Sequence, residues 1–215
     1  MAVSSVNTLK RLLSENGPMS VADYMAWCLT EGEASYYRNG NPLGASGDFV
    51  TAPEVSQIFG ELIAVWCMSV WQSMGEPKPF VLAELGPGRG TLMQDALRAA
   101  RAAPRFLEAA EIHLVETSAT LREAQKQALT SVCKPSWHKS MEKVPRAPLI
   151  VIANEFFDAL PVEQHIYTDG SWYRRMIALN GTDAPSFAVG RLALPPVELL
   201  PVNPPRDGDI LEHRP

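Results

Sequence analysis

Cysteine is scarce in this sequence: Cys28, Cys67 and Cys133 are the three present, widely spaced and without a CxxC pair or a histidine-rich companion. An odd, scattered set builds no disulfide framework and offers no zinc-ligand spacing, which points to a reducing compartment and to no metal site. Clustered basic charge is missing as well. With 19 basic residues against 24 acidic ones, a net charge of -5 and no basic run, nonspecific nucleic-acid binding has no electrostatic footing. Long apolar runs are also lacking. The longest uncharged apolar stretch, Leu62 to Gly75, is 14 residues between Glu61 and Glu76, well short of a bilayer span. Lys10 and Arg11, set among Leu9, Leu12 and Leu13, come without a signal-peptide core and read as a first helix in preference to a transit peptide. No internal repeat is visible. What is present is 215 residues, 46% of them apolar, enough for one large domain or a core with an appendage.

Three regions follow from the patterning. Residues 1–75 read as helical. Two helices are broken at Gly17-Pro18, the second opening on a Ser20/Asp23 capping box. A glycine-rich stretch from 32 to 51, carrying Tyr36, Tyr37 and Phe49, reads as an ordered lid. Thr51 and Glu54 predict a second capping box. The long helix after it carries Val55, Ile58, Phe59, Leu62, Ile63, Trp66 and Val70 as an apolar stripe expected in the core. Residues 76–161 alternate strand and helix: Phe80 to Leu85, helix from Thr91 to Ala103, Ile112 to Val115, helix to Leu129, Cys133 to Trp137, and Leu149 to Ala153. That rhythm predicts an α/β fold with a Rossmann-like, doubly wound parallel sheet and right-handed crossovers. Residues 162–215 predict a hairpin turning at Asp169-Gly170, a third strand to Leu194, and an extended or irregular tail with six prolines in its last 22 residues.

The chemistry concentrates at Val81-Leu82-Ala83-Glu84-Leu85-Gly86-Pro87-Gly88-Arg89-Gly90-Thr91. A buried strand runs into Gly86, Gly88 and Gly90 and then a helix, predicted to be capped by Thr91 with Gln94. Such a turn brings bare backbone and free helix amides against a nucleotide-like ligand. The dinucleotide fingerprint requires its third small residue at the sixth position, where Thr91 stands, so the NAD reading is weakened. Glu84 beside the turn would repel a pyrophosphate but complements the sulfonium and ammonium of S-adenosylmethionine. Glu116, ending the next strand, is placed to accept ribose hydroxyls, or alternatively to cap the helix after Ser118. At the mouth of the Leu149 to Ala153 strand, Glu155 and Asp158 can clamp a guanidinium and Asn154 can bond a backbone or cofactor amine. The competing reading makes Asp158 a helix cap and the neighbouring phenylalanines core.

The segments Gly17-Pro18-Met19, Gly47-Asp48-Phe49-Val50-Thr51, Phe59-Gly60-Glu61, Glu84 to Thr91, Val115-Glu116-Thr117-Ser118 and Ala153-Asn154-Glu155-Phe156-Phe157-Asp158-Ala159-Leu160-Pro161 together resemble the MidA-like family of class I S-adenosylmethionine-dependent methyltransferases. The resemblance runs from about Leu9 to Glu212. It implies protein-arginine methylation, with a respiratory complex I subunit as target in the eukaryotic member, and Gly86, Gly88, Gly90 and Glu116 in cofactor binding. Gly47, Asp48 and Thr51 are expected to close over the methionine end of the cofactor. With family pattern already present at Leu9, a bacterial cytoplasmic protein is expected, or a mitochondrial matrix protein if eukaryotic. The family's seven-stranded sheet exceeds the four parallel strands read here. A C-terminally shortened version with an unpaired edge beyond Leu149 to Ala153 is therefore expected, unless the last 22 residues supply a covering strand. Two rival functions stand. One is a non-catalytic assembly module gripping a partner through an exposed Trp172 and Tyr173 on the hairpin. The other, weaker, is an NAD-dependent oxidoreductase. Oligomeric state is not legible in the sequence.

Overall fold

The computed structural model describes residues 2–31 and 51–214. Its strands, in chain order, are β1 (Met19–Ser20), β2 (Phe80–Leu85), β3 (Ala110–Val115), β4 (Ser136–His138), β5 (Leu149–Ile152), β6 (Glu163–Thr168), β7 (Ser171–Leu179), β8 (Pro185–Leu192) and β9 (Ile210–His213). The chain divides into two units, Asn41–Asp158 and Met1–Gly40 with Ala159–Pro215. The expected boundary near residue 75 is thus not where contacts thin out. The helix Gln57–Ser73 packs on the helix Thr91–Ala99 within the first of these units.

In the Asn41–Asp158 unit a wholly parallel sheet runs in the order β4-β3-β2-β5. This is the Rossmann-like α/β arrangement that alternating strands and helices predict. All six residues of β2 are buried, as a strand flanked on both sides and covered on both faces must be, which is why it reads as a nearly unbroken apolar run. One face carries Phe80, Leu82, Ile112, Leu114, Ile150 and Ile152 against Cys67, Trp71, Leu97 and Phe106. Trp71, Phe80 and Phe106 meet with ring centroids 5.1 to 6.1 Å apart. Phe106 comes from a helix, Pro104–Ala109, that the sequence reading leaves out, opened by proline at its first turn.

The long N-terminal helix of this unit is built differently from expectation. Pro53 starts a short helix, Ala52–Val55, and Thr51 makes no capping bond. The Glu54 carboxylate is taken instead by the Thr91 hydroxyl, which donates at 2.7 Å, so the predicted box cannot close. Ser56 caps the helix Gln57–Ser73, its hydroxyl accepting from the Ile58 amide at 3.2 Å. The buried face is Gly60, Ala64, Cys67 and Trp71. Of the stripe expected in the core, Phe59, Ile63 and Val70 pack partly against it, while Val55, Ile58, Leu62 and Trp66 are exposed, Leu62 by 62% and Trp66 by 55%. Close approach explains the rotation: a Cβ on Gly60 would lie 2.7 Å from Asp95 Cβ and 3.1 Å from the Leu92 carbonyl. The helices meet on their small residues, and the bulky ones turn outward.

The Met1–Gly40 and Ala159–Pro215 unit is an antiparallel sheet centred on β7, which pairs with β6, β1 and β8; β6 pairs in turn with β9. The predicted hairpin and third strand are β6, β7 and β8. The tail is not irregular throughout, since β9 forms within it. β9 pairs with β6 and not with β5, so the parallel sheet receives no covering strand from the tail. Among the described residues β5 has β2 as its partner, and its Leu149 and Val151 are exposed. Trp172, expected exposed, is buried, edge-on to Tyr167 with centroids 5.2 Å apart, and Tyr173 is half-buried. Ser20 caps the helix Val21–Ala26 by accepting from the Asp23 amide at 3.0 Å. No helix among the described residues is long and apolar enough to cross a membrane.

The Gly60 contact yields a direct test. Gly60→Ala is expected to lower stability by about 1–3 kcal/mol through overpacking. Gly181→Ala, whose Cβ would meet nothing within 4 Å, is expected to leave it unchanged, both read by urea unfolding.

Candidate functional site

Parallel pairing delivers β2, β3 and β5 to one sheet edge, and the residues following each strand meet there. After β2 the chain turns through Gly86, Gly88 and Gly90 with φ of 60°, 54° and 88°. Each lies in the left-handed region, which costs an L-residue about 1–2 kcal/mol. The Gly86 amide donates to the Val115 carbonyl at 3.0 Å and the Gly90 amide to the Pro87 carbonyl at 2.8 Å. The glycines have separate steric reasons. A Cβ on Gly86 would sit 2.7 Å from the Phe156 ring, and one on Gly90 would press on Gln125 Cα and Cγ at 3.4 Å. Gly90 itself, not Thr91, is the helix cap; Thr91 is the first helical residue and its hydroxyl is spent on Glu54. Gln94, expected to complete the box, donates to the Ala128 carbonyl at 2.8 Å.

Glu84 lies in the interior of β2, in register with Leu114 on one side and Ile152 on the other. Its Oε2 has no hydrogen-bond partner among the described residues and is shielded from solvent. Burial pushes its carboxyl up to about 8, because a low-dielectric surrounding disfavours the ionised form. A buried acid without a partner is costly, so the sequence tolerates here what a purely structural strand would not.

Glu116, the residue after β3, is held from every side. Its amide donates to the His138 carbonyl at 3.0 Å. Its Oε1 accepts from the Thr117 and Ser118 amides, both at 2.8 Å. Arg122 donates through Nε to the Glu116 carbonyl at 2.9 Å and through its terminal nitrogen to the His138 carbonyl at 3.2 Å. Oε2 accepts from Gln125 Nε2 at 3.3 Å. The capping reading of Glu116 matches its Oε1, which takes backbone amides ahead of the helix Ala119–Leu129, while Oε2 is linked to the glycine turn through Gln125. Ser118 is that helix's cap, accepting from the Leu121 amide at 3.3 Å.

After β5, Asn154 is half-buried, and Glu155 and Asp158 are exposed. None of the three makes a side-chain hydrogen bond with the described residues. Glu155 has φ of 49°, left-handed in a non-glycine residue, a strain that concentrates at functional positions. Phe156 packs against Val81, Ala83, Leu85 and Val115 and lies on Gly86. Gly47 and Asp48, with the rest of the lid segment before Thr51, lie outside the described residues. Thr51 is half-buried in the turn leading to Pro53.

Residues 62–213 match the family described as "Putative S-adenosyl-L-methionine-dependent methyltransferase". The chain belongs to this family. Among curated relatives, the protein arginine methyltransferase NDUFAF7 homolog, mitochondrial, of Drosophila melanogaster is 39% identical over 214 residues, covering 89% of this chain and 48% of its own. Protein arginine methyltransferase NDUFAF7, mitochondrial, of Danio rerio is 40% identical over 204 residues, covering 82% and 48%. A Burkholderia thailandensis protein crystallised with S-adenosyl-homocysteine bound superposes with a TM-score of 0.71 at 26% identity, over 88% of this chain and 50% of that one. The chain spans about half the length of the relatives it matches.

The edge fits the cofactor of this methyltransferase family. A sulfonium and an ammonium call for a buried acid with a free oxygen, which Glu84 has, and the left-handed glycines leave backbone open to close approach. Three contributors escape sequence reading, Arg122, Gln125 and Trp137, and a fourth, Glu54, is read there with the wrong partner. Gln125 left one trace, since it falls with Leu121, Ala128 and Leu129 on the buried stripe of its helix, a polar residue where the period asks for an apolar one.

Burial of Glu84 sets a pH dependence. Its carboxyl titrates near 4.5 when unfolded and near 8 when folded, so between those values the folded state holds the extra proton. Stability is full below the lower value and is lost as pH rises towards the upper one, by at most about 1.4 kcal/mol per pH unit. Glu84→Gln is expected to flatten that decline, as measured by denaturant midpoints between pH 5 and 8.5.

Proposed function

We propose that this chain is the cofactor-binding part of a protein-arginine N-methyltransferase. The observation carrying this reading is the meeting, at one parallel-sheet edge, of an orphaned buried acid, a triple left-handed glycine turn and a pinned second acid. Glu84 would sit beside the cofactor's positive groups, Gly86, Gly88, Gly90 and Thr91 would line its approach, and Glu116 Oε2 would accept a ribose hydroxyl. Gly47, Asp48 and Thr51 would close on the methionine end. When bound, S-adenosylmethionine supplies a methyl carbon activated by its sulfonium. The chain's part is then to present the nucleophile. Glu155 and Asp158 attract a guanidinium by charge-assisted hydrogen bonds and accept the proton that nitrogen gives up as it is alkylated. Asn154 orients the acceptor nitrogen. The relatives' names support a protein substrate, and a respiratory complex I subunit is the target we propose. The site of action is the cytoplasm of a bacterium, or the mitochondrial matrix if the source is eukaryotic.

Calorimetry with S-adenosylmethionine tests the cofactor half. Gly88→Val is expected to abolish the binding heat and Lys10→Ala to retain it. Absence of heat from the parent chain overturns the reading. Transfer of labelled methyl to protein in a cell extract tests the other half: Glu155→Gln is expected to reduce incorporation by about tenfold or more while binding persists. Binding with no incorporation from the parent chain favours the non-catalytic assembly role.

A further inference from the structure

Gln125 is fully buried, yet every hydrogen-bonding atom of its amide is engaged. Nε2 donates to the Gly88 carbonyl at 2.7 Å and to Glu116 Oε2 at 3.3 Å, and Oε1 accepts from Trp137 Nε1 at 2.8 Å. An indole N–H only donates, and a carbonyl and a carboxylate only accept. The three neighbours therefore allow the amide one orientation. Turned over, it would set oxygen against two acceptors and NH₂ against a donor. Gly90 belongs to the same arrangement, because the bare Cα lets the Gln125 backbone come within contact of the turn.

We propose that Gln125 is the positioning residue that locks the glycine turn and the Glu116 carboxylate into a single binding edge, with Trp137 fixing the direction of its amide. This deepens the cofactor reading above and rests on it. The turn and Glu116 come from different strands and share no direct hydrogen bond among the described residues. Gln125 bridges them, tying the carbonyl of the middle glycine to the one carboxylate oxygen that the Thr117 and Ser118 amides leave free. Losing the bridge releases both sides at once: Gly88 regains freedom in its φ, and Oε2 is no longer held towards the turn. Because a buried amide replaced by an apolar group strands two acceptors and a donor, the effect should exceed that of lost packing.

The test uses S-adenosyl-homocysteine as probe, with circular dichroism confirming that each variant is folded. Gln125→Glu keeps the shape and sets a carboxylate against the Gly88 carbonyl and Glu116. Its affinity at pH 8 is expected to fall by about tenfold or more relative to the parent. Lowering the pH to 5.5 protonates one of the two adjoining carboxyls, restores a donor, and should close most of that gap, taken as the variant-to-parent ratio so that titration elsewhere cancels. A role in packing alone predicts a ratio that does not change with pH. Trp137→Phe, a milder change, is expected to weaken binding about threefold to tenfold by freeing the amide to turn. Equal affinity of parent and Gln125→Glu at pH 8, or a pH-independent ratio, overturns the positioning role. If the parent itself takes up no probe, the cofactor reading fails instead. Hydrogen exchange without ligand then decides the bridge: faster exchange of the Gly90 amide in Gln125→Glu upholds it, and unchanged exchange overturns it.

Discussion

Parallel pairing of β2 with β3 on one side and β5 on the other is the constraint from which the site follows. Strands that run the same way leave the sheet at the same edge, so three loops with no sequence proximity arrive together. The price is a central strand buried on both faces, and one polar side chain in that strand, Glu84, breaks the apolar pattern. Its placement two residues before the first glycine of the turn is what gives the edge an electrostatic preference, because an acid shielded from water and without a donor among the described residues favours a cation beside it over any anion.

Around that edge the polar groups differ in how firmly they are held. Glu116 is fixed through its amide, its carbonyl and both carboxylate oxygens. Asn154, Glu155 and Asp158 have no side-chain partners among the described residues, and one of them sits in a strained backbone conformation. The first set is held rigidly, and the second leaves its polar atoms available among the described residues.

What the sequence discloses follows the strength of its local signals. β2 is legible to the residue because an unbroken apolar run meets three glycines, and the helix Ala119–Leu129 because Ser118 precedes a clear period. Glu84, the glycines and Glu116 stand out in the sequence because an acid interrupts one apolar run, glycines end it, and an acid closes the next. The outward turn of Leu62 and Trp66 is not, since it depends on Gly60 meeting Asp95 across another helix. The Thr51 and Glu54 box fails for a related reason: a long-range partner, Thr91, outcompetes the local one. Arg122 stays hidden because hydrogen bonds to backbone carbonyls leave no compositional mark, and Gln125 shows only as a polar residue on an otherwise apolar stripe.

The contact between Phe156 and Gly86 ties two distant stretches of the chain to a shared fate. The ring occupies the volume that any side chain at 86 would claim, and the left-handed dihedral there penalises such a side chain a second time. Trimming Phe156 relieves the crowding but not the twist. A smaller residue at 156 would thus remove one of the two objections to a side chain at 86, at the cost of the packing that the ring supplies, and would leave the other in force.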